Sequence, residues 1–220
     1  MGGESKQHWE RVYAEKAVTA VSWYQAVPER SLGLIGEAVG RIRESGRGRR
    51  VRVVDVGGGA STLVDHLVER WGNDLEVCVV DIASAALAAA RARLGEKSAG
   101  VRWVEGDVTG AMGEIPDGWA DVWHDRAVFH FLTSVEGRRA YATNLQRVLA
   151  SGGVAVIAGF APDGPLKCSG LEVARHDGES VRRELGAGGV EWVLEKEERE
   201  EHTTPWGAVQ RFVYSVLRRG

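Results

Sequence analysis

The chain has 220 residues, a formal net charge of −3 and two cysteines. This length suits one α/β domain with a substantial core. The small charge gives no general attraction for nucleic acid or an anionic membrane, and no apolar stretch reaches transmembrane length. The first residues, MGGESKQHWE, lack the apolar core of a secretory signal, and two cysteines are too few for a disulfide framework. We therefore expect a cytoplasmic protein.

The N-terminal part predicts two helices, over about 7–15 and 28–43, with Pro28 suited to a first turn. Four aromatic side chains accompany them: Trp9, Tyr13, Trp23 and Tyr24. They either cover a bound ligand or pack the helices onto the rest of the chain, and both interpretations stay open. We expect residues 1–45 to form a helical lid within a single domain of residues 1–220, followed by a solvated connector over 44–50.

Strand and helix patterns alternate after the connector. The predicted strands cover 51–56, 75–82, 101–104, 119–124 and 154–160, and the predicted helices cover 61–71, 84–94 and 134–150. Ser84 and Ser134 are expected N-caps of the second and third of these helices. The strands are Val-rich and continuously apolar, which is typical of a parallel sheet covered on both faces.

The C-terminal part follows a different pattern. A predicted helix over 178–185 precedes two long strands, over 192–200 and 209–218, and the turn at 203–207 that contains Trp206 joins them. We expect an antiparallel pair. The sequence therefore predicts an α/β fold with a doubly wound, Rossmann-like, seven-stranded sheet that is mostly parallel and ends in an antiparallel hairpin.

The segment 55–61, DVGGGAS, directly follows the first predicted strand. Glycines at this point let the backbone approach a ligand, and the next helix offers free N–H groups. A dinucleotide fingerprint needs a third glycine at position 62, which is Thr62. The glycine pattern therefore disfavours a nicotinamide dinucleotide.

Acids close the next two strands. Asp81 lies roughly 20 residues beyond the turn, where a carboxylate commonly accepts ribose hydroxyls. Asp107 ends the third strand and can accept a hydrogen bond from an exocyclic amine such as that of adenine. The alternatives are helix capping near Ser84 for Asp81 and an Asx-turn for Asp107.

The order and spacing of these motifs resemble the class I S-adenosylmethionine-dependent methyltransferases. The matching segments are DVGGGAS at 55–61, VVDIA at 79–83, EGDV at 105–108, DVWHDRAVFHFL at 121–132 and SGG at 151–153. The resemblance covers the chain from about Val51 to its end. It implies S-adenosylmethionine as cofactor.

The resemblance also implies cofactor contacts. They are Asp55, Gly57 and Gly59 beside the methionine part, Asp81 at the ribose, and Asp107 and Val108 at the adenine. We also expect Ile82, Asp125 and Trp23 to contact the cofactor.

Residues after the fourth strand lie near the transferring methyl group in this family. His130 is a candidate general base, because imidazole titrates near neutrality, and Asp125 is the second candidate. The alternative for His130 is an exposed histidine at a helix start. His124 is expected to pack against a helix. The remaining histidines lack metal-ligand spacing, so we expect no metal site; they are His8, His66, His176 and His202.

The expected substrate contacts are Phe129, His130, Phe160, Cys168 and Trp206. Cys168 lies in the loop after the fifth strand, where ligands bind in open α/β sheets; a purely structural loop is the alternative. Cys78 is expected in the core.

The expected function is methyl transfer to a nucleophile on a small molecule. Two alternatives stay open: a protein lysine methyltransferase, and a cofactor-binding protein without catalysis. The chain lacks a basic stripe, so we expect no nucleic-acid substrate and no membrane partner.

Overall fold

The computed structural model of the chain describes residues 2–46, 48–110, 112–113 and 115–220. Met1 in the predicted lid and Arg47 in the predicted connector lie outside these residues. The helices are α1 Gly2–Glu15, α2 Glu29–Glu44, α3 Leu63–Trp71, α4 Ser84–Leu94, α5 Val135–Val148 and α6 Gly178–Gly186. The strands are β1 Val51–Val56, β2 Leu75–Asp81, β3 Val101–Glu105, β4 Ala120–Arg126, β5 Leu149–Phe160, β6 Lys167–Cys168, β7 Leu171–Glu172, β8 Trp192–Thr203 and β9 Val209–Arg219.

A seven-stranded sheet has the order β3-β2-β1-β4-β5-β9-β8. The strands β1 to β5 are mutually parallel, and β9 runs antiparallel to both β5 and β8. The predicted doubly wound fold with a C-terminal antiparallel hairpin is confirmed. The strand order reverses between β1 and β4, and in open α/β sheets ligands bind outside the carboxyl ends of the strands at such a point.

Apolar side chains cover both faces of this sheet. On one face, Leu32 and Ile35 of α2 and Leu67 of α3 pack with alternate strand residues. On the other face, Tyr141 and Leu145 of α5 pack with the strand residues of opposite parity. The central strands are buried on both sides, which explains why their sequences are continuously apolar rather than alternating.

Two predicted helix caps have different outcomes. The Ser134 cap is confirmed, because its side chain accepts a hydrogen bond from the Gly137 N–H at 3.0 Å. The Ser84 cap is wrong: the N-cap position belongs to Ala83. The carboxylate of Glu10 in α1 instead accepts hydrogen bonds from the N–H groups of Ser84 (2.7 Å) and Ala85 (3.2 Å). The start of α4 therefore depends on a side chain distant in sequence.

Two elements differ from the sequence prediction after α5. This helix ends at Val148, and β5 begins at once, with a register irregularity opposite β4 that accommodates the Ser-Gly-Gly segment. The loop after β5 contains a small hairpin of β6 and β7. Its two-residue turn is Ser169 (φ 51°) and Gly170 (φ 81°), both with the positive φ of a type I′ turn. Strands of two residues are too short to leave a pattern in the sequence.

Candidate active site

A cavity of about 540 Å³ lies at the carboxyl ends of β1, β2, β3 and β4 and is roofed by α1. This volume is in the range of small-molecule binding sites. Its lining includes seven of the predicted site residues: Trp23, Gly57, Asp81, Ile82, Asp107, Val108 and Cys168. Residues from four strand ends and from the N-terminal helix therefore meet around one cavity.

The backbone of the turn after β1 lies so close to neighbouring atoms that a Cβ would not fit. Gly57 has φ +66°, and a Cβ there would lie 2.2 Å from Val128 Cγ2. A Cβ on Gly59 would lie 2.7 Å from the Cβ of Ala86 in α4 and 2.8 Å from Asp81 Oδ2. Both glycines are needed for steric reasons, although Gly57 alone of the two lines the main cavity.

Asp81 ends β2 and is buried. Its Oδ2 accepts a hydrogen bond from the Gly59 N–H at 3.0 Å, and its Oδ1 accepts one from the Ala83 N–H at 2.8 Å. Burial is the largest influence on this group and raises the pKa of Asp81 to about 6. The two backbone donors fix the carboxylate at the cavity wall, and each oxygen keeps a further lone pair for another donor.

Asp107, just beyond β3, forms the Asx-turn that was the alternative interpretation. Its Oδ1 accepts hydrogen bonds from the N–H (2.8 Å) and the hydroxyl (2.7 Å) of Thr109. Asp107 also lines the cavity with Val108 and Ile82. The turn therefore holds the acid at the cavity rather than away from it.

Four rings form what we call the aromatic wall of the cavity: Trp9, Tyr13, Trp23 and Phe131. The ring centroid of Trp9 lies 5.7 Å from that of Trp23 and 5.1 Å from that of Phe131. The centroids of Tyr13 and Trp23 are 6.4 Å apart. These edge-to-face contacts join the N-terminal segment to the exit of β4.

Asp55 is buried below the glycine turn and lines a second, smaller cavity instead of the main one. Its Oδ1 lies 2.7 Å from Nδ1 of His124, and Nε2 of that ring lies 2.9 Å from the Ser31 hydroxyl in α2. Oδ2 of Asp55 has no hydrogen-bond partner among the residues that the structure describes. The expectation that His124 packs against a helix is confirmed by its contact with α2.

The prediction that Asp125 reaches the reacting groups does not agree with its placement. The side chain is fully buried and accepts hydrogen bonds from the backbone N–H groups of Val128 (2.9 Å) and Phe129 (3.0 Å) and from the Tyr141 hydroxyl (2.7 Å). Ala127, with φ 72°, turns the chain so that these N–H groups point back at the carboxylate. Asp125 holds the turn after β4 and does not line the cavity.

His130 is also corrected by the structure, because its side chain is buried behind the cavity. The ring contacts those of Phe131 and Phe160, and Nδ1 accepts a long hydrogen bond, 3.4 Å, from the Phe160 N–H. Burial and the nearby Arg126 lower the pKa of His130 to about 3. A group in this position is a poor base for a molecule in the cavity.

Three expected substrate contacts lie elsewhere. Phe129 packs against Tyr141, and Phe160 packs between His130 and Phe212, all within the core. Trp206 is 63% exposed at the tip of the hairpin between β8 and β9. A position at or beyond a strand end does not determine which way the side chain points.

Cys168 does line the cavity, from strand β6. Its Sγ lies 3.9 Å from the Ser22 hydroxyl, and burial raises the pKa of this thiol to about 11. The thiol is therefore neutral near pH 7. Cys78 is fully buried in the core, as expected.

Sequence reasoning missed part of the lining. It includes Glu4, Ser5 and His8 of α1, Arg126 at the end of β4, and Leu171 and Glu172 of β7. The helical spacing from Ser5 to Trp9 to Tyr13 was the available signal for the α1 face. Nothing in the sequence pattern indicated the β6–β7 hairpin.

Comparisons with known proteins agree with this fold. Residues 53–153 match the family model described as a methyltransferase domain. No curated protein matches the chain by sequence.

Solved structures show the same fold at low sequence identity. A methyltransferase from Anabaena variabilis, described as dependent on S-adenosylmethionine, is 16% identical with a TM-score of 0.67, over 100% of this chain and 95% of that one. The N-methyltransferase NodS from Bradyrhizobium japonicum, in complex with S-adenosylhomocysteine, is 15% identical with a TM-score of 0.65, over 98% of each chain. A 1,6-didemethyltoxoflavin-N1-methyltransferase from Burkholderia thailandensis is 18% identical with a TM-score of 0.58, over 98% of this chain and 84% of that one.

The fold and the matched domain are those of the methyltransferases. Residues 53–153 match a methyltransferase domain, and the whole chain has the fold of S-adenosylmethionine-dependent methyltransferases. Among the described residues, no helix has the length and apolarity needed to cross a membrane.

Proposed function

We propose that this enzyme transfers the methyl group of S-adenosylmethionine to a nucleophile on a small molecule by in-line displacement. The observation that carries the proposal is the cavity, which has Asp81 of β2 and Asp107 beyond β3 along one part and the aromatic wall along another. The Burkholderia thailandensis relative, described with its bound 1,6-didemethyltoxoflavin, supports an acceptor of this class.

The residues around the cavity suit the cofactor in type and position. We propose that Asp81 accepts the ribose hydroxyls, and that Asp107, Ile82 and Val108 border the adenine, as the resemblance implies. Gly57 keeps the turn open for the methionine part. When bound, S-adenosylmethionine supplies a methyl group already activated by a positively charged sulfur.

The main tasks of the protein are then to align the acceptor and exclude water. The aromatic wall contributes to both, because its rings from α1 and from the exit of β4 line the cavity and contact one another. A thiolate or another soft acceptor needs no base, which agrees with the burial of His130 and Asp125.

Replacing His130 by glutamine should leave the pH profile of kcat unchanged. The ring is neutral above about pH 3 and does not line the cavity, so it has no proton to exchange with the acceptor in the working range. The measurement is kcat between pH 6 and 9 for both proteins, with melting temperatures as a check on folding. Loss of an ionisation step near neutrality in the variant would restore His130 as the base.

We propose that α1 acts as a lid, and Glu10→Ala should loosen it. The carboxylate of Glu10 fastens α1 to the start of α4 through the Ser84 and Ala85 N–H groups, and the change removes these charge-assisted hydrogen bonds. We expect S-adenosylhomocysteine to dissociate about 5–20-fold faster, as measured by stopped-flow fluorescence of the tryptophans. Glu15→Ala, at the end of the same helix, is the matched control. An unchanged dissociation rate for Glu10→Ala would contradict the lid.

The test of function is a screen of acceptors scored by S-adenosylhomocysteine release, with thiols, phenols, amines, carboxylates and lysine-containing peptides. Turnover of a small molecule supports the proposal. Turnover of the peptides alone would identify a protein lysine methyltransferase instead. Cofactor binding without release for any acceptor would favour a binding protein without catalysis.

A further inference from the structure

The lining of the main cavity carries more negative than positive charge. Four carboxylates line it, those of Glu4, Asp81, Asp107 and Glu172. Among the residues that the structure describes, Arg126 is the one Lys or Arg side chain in the lining. A cleft lined mainly by one sign of charge concentrates the field of that sign and attracts the opposite ion. A molecule in this cavity therefore meets a negative environment.

The charge of Arg126 is balanced inside the protein. Its Nη2 lies 3.7 Å from Oε2 of Glu200, and the two side chains are only 10% and 15% exposed. Nε donates to the Tyr214 hydroxyl at 2.9 Å, and Nη1 donates to the Trp23 carbonyl at 3.0 Å. The guanidinium also lies over the ring of Phe212. An anionic acceptor therefore finds no uncompensated cation in the part of the lining that the structure describes.

His8 adds no positive charge to the cavity near pH 7. It lines the cavity from α1, and burial, followed by the charges of Arg11 and Lys16, lowers the pKa of its imidazole below the usual value. Nε2 of this ring is buried and has no hydrogen-bond partner in the described part of the chain. In the tautomer that protonates Nδ1, this nitrogen is a hydrogen-bond acceptor. His8 therefore offers a ligand an acceptor without a positive charge.

Glu172 lies at the end of the cavity away from the proposed adenosine site. It belongs to β7, and the β6–β7 hairpin follows β5. In the sheet, β1 and β4 separate β5 from β2 and β3, where Asp81 and Asp107 lie. The Ala174 N–H donates to the His130 carbonyl at 2.8 Å and holds the chain after the hairpin beside the exit of β4. Glu172 is therefore placed beside the acceptor rather than beside the adenosine.

The surroundings of Glu172 leave it available to a ligand. Its Oε1 lies 2.9 Å from Nζ of Lys167 on the facing strand, and the two side chains are about two-thirds exposed. An ion pair this exposed contributes little, because water competes for both charges. Leu171 lines the cavity next to Glu172, and the rings of Trp9 and Phe131 add apolar surface that also attracts cations. Apolar surface and an available carboxylate therefore meet at this end.

We infer that the acceptor is a small molecule with an apolar ring and an ammonium group, and that Glu172 determines this specificity by binding the ammonium group. Acceptors with a carboxylate or a phosphate in its place bind weakly, because the lining offers them carboxylates. The nucleophile is a separate group, since a protonated nitrogen has no lone pair to attack the methyl group. This inference rests on the proposed function and names the substrate class of the same cavity.

The test is calorimetric binding to the protein loaded with S-adenosylhomocysteine, which requires no turnover. The three probes share one indole ring: tryptamine has an ammonium group, indole-3-ethanol has no charge, and indole-3-propionate has a carboxylate. We expect tryptamine to bind at least about fivefold more tightly than indole-3-ethanol and at least about 20-fold more tightly than indole-3-propionate. This preference should become smaller as the salt concentration rises from about 50 to about 300 mM.

Charge reversal at one position identifies the residue. For Glu172→Lys we expect tryptamine to bind about 5–20-fold more weakly and indole-3-propionate at least about threefold more tightly. Binding of indole-3-ethanol should change by less than about twofold, which also shows that the hairpin is intact. Glu179→Lys makes the same change in net charge at an exposed acid of α6 outside the cavity lining, and should leave all three dissociation constants unchanged.

Failure of the inference is distinguishable from failure of the proposed function. If the wild-type protein does not bind S-adenosylhomocysteine, the proposed function itself fails. If it binds S-adenosylhomocysteine but binds none of the probes, binds all three equally or binds indole-3-propionate most tightly, the inference alone fails. Equal changes for all three probes in Glu172→Lys would also overturn the inference, because Glu172 would then not distinguish charge.

Discussion

Replacing Asp81 by alanine should weaken S-adenosylhomocysteine binding by about 1–3 kcal/mol, which is about a 5- to 150-fold rise in Kd. The change removes the proposed acceptor of the ribose hydroxyls. It also leaves the N–H groups of Gly59 and Ala83 without their present partner, so the glycine turn loses its support from β2. Calorimetry at constant pH measures the effect.

Asp81→Asn is the matched control. It keeps the shape of the side chain but replaces one acceptor oxygen with an amide that faces an N–H donor, so we expect an intermediate loss. Because the pKa of Asp81 is raised to about 6, the free wild-type protein takes up a proton below that pH, and its affinity should fall as the pH decreases through 6. The asparagine variant should lack this pH dependence. An unchanged Kd for Asp81→Ala would remove Asp81 from the site.

Replacing Asp125 by alanine should lower the free energy of unfolding by at least about 3 kcal/mol. Three buried donors lose their acceptor: the N–H groups of Val128 and Phe129 and the Tyr141 hydroxyl. The turn that carries Ala127 with positive φ would lose the contacts that stabilise it. Urea unfolding followed by circular dichroism gives the value.

Tyr141→Phe is the graded comparison: it removes one donor from the same carboxylate and the acceptor of the Trp123 Nε1–H, and we expect a loss of about 1–3 kcal/mol. Burial raises the pKa of Asp125 from 3.8 to about 6, so the folded state favours its neutral form. The stability that this group contributes is present below its unfolded pKa and is lost as the pH rises through 6. The loss in free energy of unfolding caused by Asp125→Ala should therefore become smaller as the pH rises through 6. A variant as stable as wild type would show that Asp125 does not hold the turn.

The fold was predictable because its elements have strong periodic patterns and clear boundaries. β1 and α4 have the predicted bounds, since an apolar run ends in glycines in one case and an Ala-rich run ends at a glycine in the other. The start of β5 was missed because Ser-Gly-Gly is typical of a turn, whereas pairing with β4 retains it in an irregular strand. The conformation of that segment is therefore set by its pairing with β4 and not by its local sequence propensity.

Site residues could be predicted from the sequence where the course of the backbone alone determines the position of the side chain. Asp81 and Asp107 follow strand ends, and parallel strand ends meet at one edge of the sheet. Asp125 and His130 also lie at or just beyond a strand end, but both side chains are buried inside the domain. Arg126 was not predicted, because the partners that aim its side chain, Tyr214 and Phe212, come from a strand distant in sequence.

The most direct test of the central claim is calorimetry of the purified protein with S-adenosylmethionine, S-adenosylhomocysteine and NAD. The account predicts that one molecule of either adenosyl ligand binds per chain, that this binding is lost or strongly weakened in Asp81→Ala, and that NAD does not bind. Tight binding of NAD with no binding of either adenosyl ligand would contradict it.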